Sequence, residues 1–296
     1  IKYAADRYIT IVPEIDMPGH MLAALTAYPN LGCTGGPYAV WTHWGVSRAV
    51  LCAGNDDVLK FIDTVLNEVI DLFPSEYIHV GGDECPKDLW KECPKCQARI
   101  KQLGIKGDSK HSAEEYLQSF IIKHAEKVIT KRGRKLIGWD EILEGGLAPS
   151  ATVMSWRGEA GGIEAANQDH DVIMTPNTYL YFDYYQVAKD QVKSEPYAIG
   201  GSLPVDRVYS YEPLPAVLSP ERQKHIVGVQ CNLWTEYIPT ISKAEYMLLP
   251  RLAALCETQW SPQGTKDYER FLGQLPRLAS IYDSYGYTYG KHVIKK

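Results

Sequence analysis

Residues 77–84 read Tyr-Ile-His-Val-Gly-Gly-Asp-Glu, a short apolar run that ends in two glycines and two neighbouring carboxylates. Its length and β-favouring composition are those of a strand, and its polar end falls where a chain leaves a sheet. The same beat recurs on both sides. ITIVPEID (9–16), KLIGWDE (135–141), TVMSWRG (152–158), DVIMTP (171–176) and HIVGVQCNLW (225–234) are apolar runs that close on polar or glycine residues. Helical patterns lie between several of them. Asn55–Phe73 carries Val58, Ile62, Val65, Leu66 and Val69 at three- and four-residue spacing, with Asn55 or Asp56 placed to cap it. Ser112–Arg132 repeats the pattern with Tyr116, Phe120, Ile121, Ala125 and Val128, and Lys243–Glu257 gives another with Ser242 as its cap. Continuous apolar strands alternating with amphipathic helices predict a parallel sheet buried on both faces.

An open doubly wound sheet and a closed barrel both answer that description. The glycine-rich phosphate turn of a dinucleotide fold is missing, because Gly81-Gly82-Asp83 does not follow its spacing. What recurs is polar chemistry at the C-terminal end of nearly every run: Glu14 and Asp16, Asp83 and Glu84, Asp140 and Glu141, Arg157, Glu236. A barrel of eight β/α units keeps its active site on that face. The expected fold is therefore α/β, a (β/α)8 TIM-type barrel in which only six strands are recognisable. No linker, second domain or longer repeat is visible.

The chain's 296 residues carry a formal charge of -5, and no Lys/Arg run exceeds three, so nucleic acid is not the expected partner. No stretch approaches the ~20 apolar residues of a membrane span, so no membrane insertion is expected, and no signal peptide is visible. Tyrosine and tryptophan, 20 and 7 against 5 phenylalanines, suit a surface that meets sugar rings, although most of the tyrosines serve core and rim. Cys33 and Cys52 flank a Gly/Trp-rich loop and could pair. Cys85, Cys93 and Cys96 cluster in ECPKDLWKECPKC, which invites a zinc reading but offers no clear fourth ligand. Free thiols or one disulfide are the expectation.

Asp83 and Glu84 are the principal candidates for chemistry. Neighbours in a regular strand point to opposite faces, but at a strand end the chain turns and both can reach one pocket. Two close acids cannot ionise equally easily, so one is pushed toward proton donation and the other stays an anion. Taken alone, the pair could also be a helix cap or a surface pair without a role.

Taken with its surroundings, HVGGDE (79–84) resembles the signature of family 20 glycoside hydrolases, the β-N-acetylhexosaminidases. PEIDMPGH (13–20), IGWDE (137–141), MSWRG (154–158), YLYFDYY (179–185) and LWTE (233–236) are similar to that family's other landmarks, in the family's order. The resemblance implies an exo-acting, retaining glycosidase that removes terminal β-linked N-acetylglucosamine or N-acetylgalactosamine and needs no metal or cofactor. Its partners would be N-acetylhexosamine-terminated glycans, and its location periplasmic or secreted. Glu84 would protonate the leaving oxygen and then activate water. Asp83 would orient the substrate's own 2-acetamido group, whose oxygen attacks C1 to form an oxazolinium, a substrate-assisted exception to the usual carboxylate nucleophile. Trp139, Trp156 and Trp234 would wall the pocket, Tyr181 would donate to the acetamido oxygen, and Asp183 and Glu236 would bind the outer hydroxyls. His20 would lie beside Glu84 and set its proton affinity.

The resemblance also implies one catalytic barrel domain over 1–296 that lacks the family's first two β/α units, with a sugar-gripping arginine and an aspartate partner for His20 on them. The family's further pocket tryptophan has no match between Tyr184 and His225, where Tyr209 or Tyr211 could substitute. Two other readings follow: a catalytically weak or inactive barrel fragment that retains sugar binding, and a glycosidase with a true carboxylate nucleophile that pairs Glu84 with Glu141 or Glu236. Open barrel edges would favour association, with a homodimer as the expected form.

Overall fold

A computed structural model gives the fold of residues 1–294. Five strands form one sheet: β1 (Tyr77–His79), β2 (Lys135–Trp139), β3 (Thr152–Ser155), β4 (Val172–Met174) and β5 (Ile226–Val229). They lie in chain order, and β1–β2 and β2–β3 pair in parallel with Ile78 opposite Leu136 and Gly138 opposite Val153. A doubly wound sheet reverses its order at a switch point, whereas a β/α barrel adds strands sequentially. The fold is α/β with barrel-type order, as the alternation of runs predicts.

The sixth predicted strand, residues 9–16, is reduced to a single parallel bridge between Glu14 and His79. His79 N–H donates to Pro13 O at 2.9 Å and Ile15 N–H to His79 O at 3.0 Å. Pro13 has no N–H to carry the ladder further. Upstream of it Ile9, Ile11 and Val12 are 55%, 40% and 41% exposed, so no buried face holds that stretch extended. A pairing that the runs do not announce links Tyr181 to Asn232 in parallel.

The chain divides into two compact units. The first comprises residues 1–154 and 168–172. Its helix Asp56–Leu72 is capped by Asn55, whose side chain accepts from Asp57 N–H at 3.1 Å, and it buries Val58, Ile62, Leu66 and Val69. The helix Ala113–Lys131 packs on it and opens with a capping box between Ser112 and Glu115. Its buried stripe runs through Leu117, Ile121, Ala125 and Ile129, rotated slightly from the predicted one.

The second unit comprises residues 155–167 and the chain from Ile173 onward. The single helix predicted over 243–257 is two helices, Ile241–Leu248 and Arg251–Trp260. Pro250 separates them because it cannot donate to the preceding turn. The cap is Thr240, which accepts from Lys243 N–H at 3.2 Å, and not Ser242. All seven cysteines are free thiols, so Cys33 and Cys52 do not form the disulfide considered for them.

Candidate active site

In the first unit the chain leaves β1 through Gly81 and Gly82, whose φ values of 68° and 96° are ones that L side chains rarely adopt. A Cβ on Gly81 would lie 1.8 Å from Asp16 Oδ1. Asp16 uses that space to accept the Gly82 N–H at 3.0 Å. The two glycines thus admit a carboxylate against the backbone and swing the next two residues out of the strand. Glu84 and His20 themselves have positive φ, 44° and 51°. Non-glycine residues held there cluster at functional sites.

The turn brings both neighbouring acids to one imidazole. His20 Nε2 lies 3.5 Å from Asp83 Oδ2 and 3.3 Å from Glu84 Oε2. Hydrogen bonds to Asp83 and Glu84 push His20 up to about 10 against the opposing effect of burial. The two acids differ in setting: Asp83 is 15% exposed and Glu84 40%. Asp83 Oδ1 is buried and has no hydrogen-bond partner among the described residues.

Behind the pair lies a group that the sequence reading names only as strand-end polar residues or as part of a motif. Burial, reinforced by the charge of Asp83, pushes Asp16 up to about 9. Burial also raises Glu14 to about 7, although the Trp139 Nε1–H bond at 2.9 Å opposes it. Burial holds His79 down to about 3, so its ring is neutral. Its Nδ1 accepts the Gly81 N–H at 3.0 Å, which leaves the proton on Nε2. Trp139 packs its ring 4.8 Å from that of His79.

In the second unit three of the predicted aromatic residues converge. Tyr181 stacks on Trp156 at 6.0 Å and lies 6.5 Å from Trp234 and 5.8 Å from Tyr184, which the motif reading gave no role. The pairing with Asn232 places Tyr181: Phe182 N–H donates to Asn232 O at 2.7 Å and Asn232 N–H to Leu180 O at 2.8 Å. Asp183 is buried with Oδ1 unpartnered, and burial, helped by the charge of Glu236, pushes it up to about 7 while Arg251 opposes.

Arg251, absent from the sequence reading, is fully buried beneath this segment. Its Nη1 donates to Tyr184 O at 3.0 Å and Leu203 O at 3.1 Å, its Nε to Met247 O at 3.0 Å, and its Nη2 to Phe182 O. Of the two tyrosines considered for a pocket wall, Tyr209 packs on Phe271 at 4.9 Å and bonds Glu257, and Tyr211 packs on Tyr179 at 4.8 Å. A groove of about 840 Å³ between the helices Arg251–Trp260 and Tyr268–Tyr285 is mainly apolar and contains none of the candidate residues.

Comparison with known proteins places the chain in a family. The family model "Glycosyl hydrolase family 20, catalytic domain" matches residues 1–263. A β-hexosaminidase of Porphyromonas gingivalis is 51% identical over 98% of this chain and 36% of its own length. One from Vibrio furnissii is 38% identical over 86% of this chain and 41% of its own. Among solved structures, an exo β-N-acetylglucosaminidase of Vibrio harveyi in complex with N-acetylglucosamine aligns with a TM-score of 0.83 and 33% identity, over 98% of this chain and 45% of that one. The chain thus spans 36% to 45% of the length of these relatives. From the sequence motifs, the barrel-type strand order and the family match, the chain belongs to the catalytic domain of glycosyl hydrolase family 20.

Proposed function

We propose that the protein removes terminal β-linked N-acetylglucosamine or N-acetylgalactosamine from glycans, with retention, through an oxazolinium formed by the substrate's own acetamido group. Glu84 is the general acid and then the base. Asp83 holds the acetamido N–H and stabilises the positive charge that develops on the ring. The observation that carries the reading is the unequal setting of two adjacent acids on one imidazole. The more buried Asp83 presents an unpartnered oxygen, which is what a substrate N–H requires, and the more exposed Glu84 stands where a leaving group and water can reach it. His20 spans both, within 3.5 Å of Asp83 and 3.3 Å of Glu84. The family resemblance assigns Trp139, Trp156 and Trp234 to contacts with the sugar, Tyr181 to donation to the acetamido oxygen as it gains charge, and Asp183 and Glu236 to the outer hydroxyls. The name of the Vibrio harveyi relative supports the choice of sugar.

Hydrolysis of chromogenic β-glycosides tests the reading. An N-acetylglucosaminide should be cleaved and the plain glucoside should not, because only the first carries the nucleophile. Glu84→Gln and Asp83→Asn should each lower kcat by ~10²–10⁴-fold. Full activity of Asp83→Asn on the N-acetyl substrate would refute substrate assistance, and equal cleavage of both substrates would indicate a carboxylate nucleophile. Sugar binding without turnover would indicate a barrel that only binds. We infer further that the isolated 296-residue chain associates as a homodimer through exposed apolar residues, Ile9 and Ile11 in the segment before Pro13 and Val227 on β5.

A further inference from the structure

The loop between Cys33 and Cys52 and the helix Pro94–Leu103 meet at four sulfurs in the first unit. The Sγ of Cys33, Cys52, Cys93 and Cys96 all lie within 4.8 Å of one another. Cys52 is 3.7 Å from both Cys93 and Cys96, and Cys33 is 3.9 Å from Cys96. A tetrahedral ion with Zn–S arms of ~2.3 Å requires S···S edges of ~3.8 Å, and these three edges have that length. Disulfide pairing accounts for them poorly. Cys52 and Cys96 each face two sulfurs at nearly equal distance, whereas a disulfide selects one partner at ~2.05 Å.

The surroundings are those of a closed site. Cys52 and Cys96 are fully buried, Cys93 is nearly so, and Cys33 is half-buried. Cys93 and Cys96 form a Cys-x-x-Cys step at the start of their helix, with Cys93 as its N-cap residue and Pro94 in its first turn. The positive end of a helix favours thiolates at such positions. The turn after Cys52 crosses the helix start closely at Gly54, where a Cβ would lie 2.1 Å from the Lys95 carbonyl carbon and 2.4 Å from Cys96 N. The feet of the loop are also aligned, with Gly32 bridged to Leu51 and Cys52 N–H donating to Leu31 O at 2.8 Å. The local sequence motif misleads here. Cys85, grouped with Cys93 and Cys96 in the sequence, is not among the four, and Cys33 and Cys52 arrive from far upstream.

We propose that Cys33, Cys52, Cys93 and Cys96 bind one zinc ion in a tetrahedral, all-thiolate structural site. Zinc suits four soft sulfurs with no open position and no redox role. The ion ties both feet of the loop that presents Trp41 and Trp44 to the helix Pro94–Leu103, and it anchors the far end of the segment that begins at Glu84. The site is independent of the glycosidase reading, since it rests on no residue used there.

The test is elemental analysis of the 296-residue chain expressed with zinc in the medium and purified without chelator. One zinc per chain is expected, and replacement by cobalt should give the visible d–d bands and sulfur-to-cobalt charge-transfer absorption of a tetrahedral thiolate site. Cys96→Ser should lose most of the metal, whereas Cys256→Ser, remote from the cluster, should keep it. A strong chelator should lower the Tm, and zinc should restore it. Should Cys96→Ser fail to fold, the cobalt spectrum of the unmutated chain still decides. Substoichiometric zinc with no tetrahedral cobalt spectrum would overturn the proposal. So would stoichiometric iron, or a disulfide among the four in a non-reducing peptide map.

Discussion

Asp83 and Glu84 differ by one methylene group and one position, and the roles proposed for them come from what surrounds each. The sequence shows the pair, and its place at a strand end predicts that both could turn into one site. Spacing alone does not bring His20 there from more than sixty residues upstream, which only the family resemblance implies, and neither reading places Asp16 and Glu14 close by. Those contacts depend on Gly81 leaving room for Asp16, a steric fact that no spacing rule contains. The group has a consequence for pH. His20 gains its carboxylate partners on folding, so its stabilisation is complete below its ordinary 6.5 and is lost as pH rises to about 10. Asp16 also holds its proton more tightly when folded, and its share is complete below 3.8 and gone by about 9. Glu14 has spent its share by about 7, and His79, depressed to about 3, acts only on the acid side of 6.5. From about pH 7 to 9 the folded chain therefore binds more protons than the unfolded one, and stability falls. Tm measured across that window should decline. Asp16→Asn, whose amide oxygen can still accept from Gly82, should make the decline shallower. A Tm that stays level or rises over the window would contradict these shifts.

Strands β1 to β5 each lie inside a predicted run, because an apolar β-branched stretch between amphipathic helices has few other places to go. The errors are local. The run at 9–16 fails as a strand where Pro13 interrupts it and nothing buries its upstream half. The helix at 243–257 divides at Pro250, a break the periodicity of its apolar residues conceals. Arg251 was invisible for another reason: a charged residue in an amphipathic helix ordinarily faces water. Here it points inward and donates to carbonyls of Phe182, Tyr184, Leu203 and Met247. A lysine in its place keeps the charge but loses the planar fork, leaving buried carbonyls unpaired at ~1–3 kcal/mol each. Arg251→Lys should therefore lower the denaturant midpoint by an amount equivalent to several kcal/mol, and near-UV circular dichroism should lose part of the signal from Trp156, Tyr181 and Trp234. An unchanged midpoint would mean that the guanidinium has no structural role.

For the molecule as a whole, charge and hydropathy gave only exclusions, and no helix among the described residues is long and apolar enough to cross a membrane. The barrel-type order could be read because strand-end polarity recurs throughout the chain. The four-sulfur cluster could not, because its members are far apart in sequence. Light scattering of the 296-residue chain should give twice the monomer mass, and Ile11→Lys, which places a charge among the exposed apolar residues before Pro13, should shift it toward monomer. A monodisperse monomer of the unmutated chain would refute the homodimer. The buried guanidinium of Arg251 also bears on the order in which the second unit forms. The carbonyls of Phe182 and Tyr184, in the segment that carries Tyr181, accept from the Arg251 guanidinium, so that segment is fully held only once the helix beginning at Arg251 is in place. The aromatic cluster is then a late arrival in folding and an early departure in unfolding. Amides near Tyr181 and near Arg251, some seventy residues apart in the chain, should exchange their hydrogens with solvent as one cooperative group.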